Sequence, residues 1–350
     1  MGPFVSLTRM EPRRIAVLRA LYLGDMLCAV PAFRALRRAF PSAEVTLIGL
    51  PWARAFARRF SEYIDDFIPL PGEPGSEALA RFRWPEVATR EPGFDLAVQL
   101  HGDGRYSNAL AGSLGAGVTA GSYQPEAGPQ PGPLFRRYAA EGSEIERSLG
   151  VLTQLGLPGG ETSLEFPIAP AEDAEAELLL EDHGLDGDIV CVHPGARLHS
   201  RRWPAQRFAA VADALARQGL RVVITGSEEE RSLTNEVESG MCCDAAELAG
   251  QTSLGALAAI VKRAKLAVTN DTGMSHIAAA VKTPSVVVAC GSDVARWAPL
   301  DRELHRVLAQ DIDCRPCGHD ICPIGHPCAE AIEPDEVIEA CNELLRRYAS

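Results

Sequence analysis

The chain has 350 residues, 46% of them hydrophobic and 23% charged, with a formal net charge of −13. This is the composition of an ordinary globular protein of about two domains. No apolar run is long enough to span a bilayer, and the net acidity argues against a nucleic-acid partner.

The first segment is unlike the rest. Residues 1–60 hold ten Arg against Glu11, Asp25 and Glu44, a charge of +7, which leaves −20 for the remainder. An anionic partner, with peripheral contact to a membrane surface, and a solvated Arg-rich helix face are equally compatible with this. Glu11, Pro12, Arg13 and Arg14 interrupt any apolar signal core, so a cytoplasmic location is expected. Residues 14–19 (RIAVLR) read as a strand that ends in R-A-L-Y-L-G-D. Gly24 allows a tight turn into a helix, and Asp25 falls at the carboxyl edge of a sheet, where open α/β folds bind ligands. A carboxylate there can accept a proton from a hydroxyl, or it can simply cap the helix. The helix follows over 26–40, with a kink or restart expected at Pro31.

Strands are expected at 44–49 and 94–100, with loop-rich inserts at 71–75 and 124–133. His101, Asp103 and Arg105 follow the 94–100 strand and are read as acceptor contacts; His101 and Asp103 are the alternative bases. A helix over 171–183 lies in a stretch of Pro, Gly and acidic residues, and the domain boundary is placed near residue 168. The pattern then starts again. A strand at 188–192 runs into a loop with Gly195, Arg197, Arg201 and Arg202, whose guanidinium groups can neutralise a diphosphate. Trp203 reads as core. The strand at 220–225 leads to Gly226 and Glu230, the latter a ribose contact or a solvated helix residue. The strand at 265–269 opens T-N-D-T-G-M-S-H-I-A-A-A, residues 269–280. A strand that stops at polar residues and Gly before a helix turns N–H groups and the positive helix end outward, which suits a phosphate. Asp271, Thr272 and His276 add groups for sugar hydroxyls, although Asp271 or Thr272 could be only a cap. Most of these strands, and that at 285–290, are continuous apolar runs, as strands buried on both faces should be. The class is therefore α/β, doubly wound with parallel sheets.

Cys28, Cys191 and Cys290 sit in apolar patterns and read as buried small hydrophobes. Cys314, Cys317, Cys322 and Cys328 instead share a Pro/Gly-rich loop with His319 and His326. Their spacing suits a structural zinc or iron, remote from the candidate ligand sites at the sheet edges, and equally a reduced or disulfide-stapled loop.

RIAVLRALYLGDMLCAVPAFRALRRAFP, VCVHPGARLHSRRWPAQRFAAVADAL, VVITGSEEER, the stretch around TNDTGMSH and CRPCGHDICPIGHPCAEAI, in that order, resemble the ADP-heptose:lipopolysaccharide heptosyltransferases. These form glycosyltransferase family 9, with the GT-B fold. The resemblance implies two Rossmann-like domains facing each other across a cleft. Residues 1–168 would take an anionic glycan or glycolipid acceptor and 169–333 the nucleotide sugar, ADP-heptose. Residues 334–350 would carry a helix, over 335–347, back towards the N-terminal domain. It implies inverting transfer without a metal ion, at the inner face of the cytoplasmic membrane. By position Asp25 resembles the general base, Arg201 the residue facing the donor phosphates and Glu230 a ribose contact. Thr252 falls where adenine is contacted, and Asp271, Thr272, Gly273 and His276 match the donor-binding turn. Ala20, Leu21 and Tyr22 stand where the family often has hydroxyl residues, and Arg201 where it often has Lys. A non-catalytic nucleotide-sugar-binding protein, a transferase with another donor and acceptor, and a redox or metal sensor are the competing readings.

Overall fold

The computed structural model describes residues 10–348 apart from 74, 77, 79–81 and 86–91. Arg9, which contributes to the basic segment, and Pro74, in the 71–75 insert, lie outside the described residues. The chain divides into two compact units, Met1–Ser163 and Leu164–Ser350, five residues earlier than the sequence suggests.

Unit 1 contains β1 (Arg14–Leu18), α1 (Leu23–Ala39), β2 (Glu44–Gly49), α2 (Ala53–Arg59), β3 (Asp66–Pro69), β4 (Leu96–Gln99), α3 (Ser107–Gly112), β5 (Val118–Tyr123), β6 (Phe135–Arg137) and α4 (Glu144–Gln154). Its six strands are all parallel, in the order β3-β2-β1-β4-β5-β6. Unit 2 contains α5 (Pro170–Asp182), β7 (Ile189–His193), α6 (Ala205–Ala216), β8 (Arg221–Ile224), α7 (Arg231–Ser239), β9 (Ala245–Glu247), α8 (Leu254–Arg263), β10 (Leu266–Asn270), α9 (Gly273–Val281), β11 (Ser285–Val288), β12 (His305–Leu308) and α10 (Pro334–Arg347). Its order, β12-β11-β10-β7-β8-β9, repeats that of unit 1, again with every pairing parallel. The expected doubly wound α/β class is what the chain adopts. In both sheets the first strand lies in the middle, so the chain winds outward in both directions from one switch point, β1/β4 or β7/β10.

The central strands are apolar throughout because helices cover both faces. Ile15, Val17, Val190, Val192 and Val268 are all fully buried. Trp203 is core, as expected, stacked edge-on against Phe208 with its indole N–H on the Ile332 carbonyl at 3.1 Å. α1 runs unbroken through Pro31, so the expected restart does not occur. α10 belongs to unit 2: Val337, Cys341 and Leu344 enter the core beside Val286 and Val288, and the helix packs on α6, β10 and β11.

Part of the Arg-rich segment serves the interior of unit 1. Arg14 is buried over the Phe94 ring at 4.5 Å, Arg19 is buried against Glu144, Arg34 donates to the Glu161 and Ser163 carbonyls at 2.9 Å, and Arg37 pairs with Asp65 at 2.5 Å. Much of that positive charge is structural, while Arg13, Arg38, Arg54 and Arg58 remain exposed. No helix among the described residues is long and apolar enough to cross a membrane.

His305, on the edge strand β12, is buried with Nδ1 on the Ser285 hydroxyl at 2.8 Å. Burial, reinforced by the charges of Arg302 and His276 and opposed by Asp301, lowers its pKa to about 4. The unfolded chain takes up this proton below about pH 6.5 and the folded chain does not, so stability falls as pH falls through that window. Wild type is expected to lose about 2 kcal/mol more than His305→Gln between pH 7.5 and 5. Denaturant melts at the two pH values check this; parallel losses would contradict it.

Candidate functional site

Site residues gather at the carboxyl edge of each sheet, beside the switch point. In unit 1 the organising group is Arg19, immediately after β1 and fully buried. Its Nε and Nη2 donate to the Asp25 carbonyl at 3.0 and 2.6 Å, and Nη2 also donates to Glu144 Oε1 at 3.0 Å. Nη1 donates to the Leu100 carbonyl. One guanidinium thus ties together the ends of β1 and β4 and the first turns of α1 and α4. Glu144 is 3% exposed and opens α4 directly after a capping box, in which the Ser143 N–H meets Glu146 Oε2 at 2.8 Å and the Glu146 N–H meets Ser143 Oγ at 3.1 Å. A buried pair of this kind is costly to break, because either partner alone is an uncompensated charge.

Asp25 is the third residue of α1, whose cap is Tyr22. Asp25 is therefore not the N-cap; its carboxylate sits in the first turn, where the helix dipole favours it. Gly24 lies in that same turn rather than in the connecting loop. His101 follows β4, and its Nδ1 accepts the Ala20 N–H at 3.2 Å, so Nε2 carries the ring proton. Burial first, then the Arg19 charge, lowers its pKa to about 4, so it is neutral at physiological pH. The Gln99 amide and the Ser107 hydroxyl both hold the His101 carbonyl at 2.8 Å. Asp103 accepts the Arg105 N–H at 3.0 Å, and Arg105 extends into solvent.

In unit 2 the ends of β7, β8 and β10 converge. His193 Nδ1 meets Thr225 Oγ1 at 3.0 Å. A Cβ on Gly195 would lie 2.2 Å from Glu230 Oε1, so the Glu230 carboxylate lies over the β7 loop. Glu230 also closes a turn by accepting the Ser227 N–H at 2.9 Å. Asn270 fastens β10 to the Arg-bearing loop. Its Oδ1 accepts the Trp203 N–H at 3.0 Å and its Nδ2 donates to the Pro194 carbonyl at 2.6 Å. It thereby joins the neighbour of Asp271 to the residue two beyond Arg201.

Thr272 is the cap of α9, its hydroxyl accepting the Met274 N–H at 3.4 Å. That hydroxyl accepts for the helix, and its O–H can still donate to a ligand. Asp271 does no such work. The residue is 5% exposed, and both carboxylate oxygens are buried without a hydrogen-bond partner. Arg201 Nε is likewise buried and unpartnered. Other buried side-chain atoms, such as Arg37 Nε and Gln99 Oε1, also lack a partner, but Asp271 has both carboxylate oxygens unsatisfied, and with Arg201 Nε on a converging loop these groups could serve a ligand with matching donors and acceptors. Gly273 and the buried His276 lie in the first turns of α9 beside them. Gly226 is packed against Thr234 and Glu230, Arg197 is exposed, and Thr252 lies ahead of the Ser253 cap of α8.

The cysteines of the 314–328 loop carry free thiols: Cys314 is exposed, Cys317 and Cys322 are half-buried and Cys328 is buried. Among the described residues no three His, Cys, Asp or Glu side chains are gathered as a metal-holding group. Nor is the loop remote from the carboxyl edge of the unit 2 sheet, since the Cys317 N–H donates to the Gly291 carbonyl at 2.7 Å and the Ser200 N–H to the Asp320 carbonyl at 2.7 Å. The sequence reading passed over Arg19, Glu144, Asn270 and His326 as site residues. Only Asn270 has a local signal, its place between Thr269 and Asp271.

Comparison with known proteins gives a consistent result. The profile of glycosyltransferase family 9 (heptosyltransferase) matches residues 88–327. The chain is 26% identical over 298 residues to lipopolysaccharide heptosyltransferase 2 of Salmonella typhimurium, an alignment covering 79% of this chain and 82% of that protein. A glycosyltransferase family 9 structure from Veillonella parvula superposes with a TM-score of 0.80 at 27% identity, covering 96% of this chain and 98% of the other. The Escherichia coli heptosyltransferase WaaC with ADP superposes with a TM-score of 0.67 at 19% identity, covering 95% and 99%. The fold is that of the GT-B heptosyltransferases.

An unpaired buried carboxylate is costly without its ligand. Asp271→Asn is therefore expected to raise the stability of the ligand-free protein by about 1–2 kcal/mol. Denaturant melts without nucleotide check this, and an unchanged or lowered stability would contradict it.

Proposed function

Because the chain belongs to glycosyltransferase family 9, the heptosyltransferases, we propose that it transfers heptose from ADP-heptose to a hydroxyl of an anionic, lipopolysaccharide-core-like acceptor, with inversion and without a metal ion. The observation that carries the donor half is the pair of orphaned groups in unit 2, the Asp271 carboxylate and Arg201 Nε, beside the N-terminus of α9. A nucleoside diphosphate sugar supplies what each lacks: hydroxyls to donate to Asp271, and phosphate oxygens to accept from Arg201 and the helix N–H groups. Glu230, over Gly195, is within the same group of strand ends and suits the ribose, and Thr252 is assigned to the adenine. Lipopolysaccharide heptosyltransferase 2 and WaaC with ADP, among the similar proteins, agree with this choice of donor and acceptor.

In the proposed reaction the acceptor oxygen attacks the anomeric carbon from the face opposite the diphosphate. The carbon–oxygen bond to phosphate breaks, and Asp25 takes the hydroxyl proton. The departing ADP needs its charge met rather than a proton, and Arg201 with the α9 N-terminus does so. Asp25 is positioned through its own backbone, because Arg19 grips its carbonyl. His101, neutral with Nε2–H as a fixed donor, is assigned to an acceptor oxygen, with Asp103 and Arg105 beside it. Exclusion of water during transfer protects the donor from hydrolysis. The exposed Arg13, Arg38, Arg54 and Arg58 suit the anionic acceptor and the inner face of the cytoplasmic membrane.

Asp25→Asn is the direct test. Asn fills the same turn but accepts no proton, so kcat should fall about 10²–10⁴-fold with donor affinity unchanged. Transfer from ADP-heptose, compared with GDP- and UDP-sugars and read by mass spectrometry, measures the first; calorimetry measures the second. Full activity in the variant would remove Asp25 as the base.

A further inference from the structure

The 3-10 turn His199–Arg201 carries the arginine assigned to the diphosphate, and the Cys-rich loop holds it from outside. Ser200, 2% exposed, spends every polar group it has on that loop. Its N–H donates to the Asp320 carbonyl at 2.7 Å and its hydroxyl donates to the His319 carbonyl at 2.5 Å. Its own carbonyl, one end of the Ser200–Arg201 peptide, meets His326 Nε2 at 2.8 Å. A carbonyl oxygen can only accept, so His326 Nε2 carries a proton and donates. His199 adds weaker contacts, its N–H and Nδ1 each 3.4 Å from Asp320 Oδ1.

His326 is itself held in an uncommon conformation. Its φ is 62°, in the left-handed region, and its backbone N–H donates to Cys322 Sγ at 3.2 Å. A side chain tolerates that region only when its surroundings fix it. Here they direct the imidazole at the one carbonyl that orients the peptide leading into Arg201. Asn270, through the Trp203 N–H, fixes the chain on the far side of Arg201. Arg201 is thus pinned at both ends, while its buried Nε has no partner.

We propose that His326 is a positioning residue for donor binding, acting through the Ser200 carbonyl to aim the Arg201 guanidinium at the donor diphosphate. This rests on the reading of Arg201 given above. It makes the Cys-rich loop part of the donor site's support, with Cys322 holding the histidine backbone.

The test measures ADP binding by calorimetry for wild type, His326→Asn, His326→Gln, Arg201→Ala and the double variant His326→Asn/Arg201→Ala. Asn accepts a left-handed backbone but is too short to place a donor where Nε2 lies, whereas the Gln amide reaches it. His326→Asn should weaken ADP binding about 3- to 10-fold, as for one lost hydrogen bond, and His326→Gln should restore it to within about twofold. Arg201→Ala should weaken it about 10- to 100-fold, as for a lost charge-assisted bond. Because His326 acts through Arg201, the double variant should bind no more weakly than Arg201→Ala alone. A general loosening of the loop would instead make the losses additive and leave the Gln variant as weak as the Asn one; either result overturns the proposal. So does normal binding by His326→Asn alongside a weakened Arg201→Ala, which leaves the reading of Arg201 intact. Normal binding by Arg201→Ala overturns that reading and the proposal together.

Discussion

Everything functional in this molecule depends on one topological constraint. In each parallel sheet the first strand lies in the middle, and the chain winds away from it in both directions. Right-handed crossovers then put the helices of one half of the sheet on one face and those of the other half on the opposite face, so the loops after the two central strands diverge. That divergence leaves an opening at the carboxyl edge which no side chain of the sheet needs to fill. The residues after β1 and β4 border it in unit 1, and those after β7 and β10 in unit 2.

The two units use the opening in opposite electrostatic ways. In unit 1 the Arg19 guanidinium is fully engaged: it meets Glu144 and the Leu100 and Asp25 carbonyls, so Asp25 is held by its own backbone. In unit 2 charge is left incomplete, with the Asp271 oxygens and Arg201 Nε buried and orphaned. A satisfied network positions a group, whereas an unsatisfied one waits for a partner.

Much of this is legible in sequence, and what is not has a physical reason. The central strands β1, β2, β7, β10 and β11 announce themselves because burial on both faces demands unbroken apolar runs such as RIAVL and SVVV. β5, with the sequence VTAGSY, and β9, only AAE, are too polar or too short to do so, and β6 and β12 lie at sheet edges. The T-N-D-T-G run gives away its turn because the turn chemistry is local. It does not say which residue is the cap: Thr272 takes that role, and this frees Asp271. Arg19 and Glu144 stand 125 positions apart, as do His326 and Ser200 at 126, and nothing in the spacing links them. The charge of residues 1–60 misleads for the same reason, since a count of arginines does not reveal that Arg14, Arg19, Arg34 and Arg37 are spent on internal carbonyls, carboxylates and a ring.

The central claim is that the unsatisfied groups of unit 2 receive a nucleoside diphosphate. A crystal structure of the protein with ADP tests it most directly. The account predicts density at the β7/β10 switch point, with the diphosphate against Arg201 and the first turn of α9 and the ribose near Glu230. Nucleotide bound elsewhere, for example in the groove of about 610 Å³ between β12 and α10 lined by Arg306, Glu336 and Glu343, with Asp271 and Arg201 untouched, would contradict it.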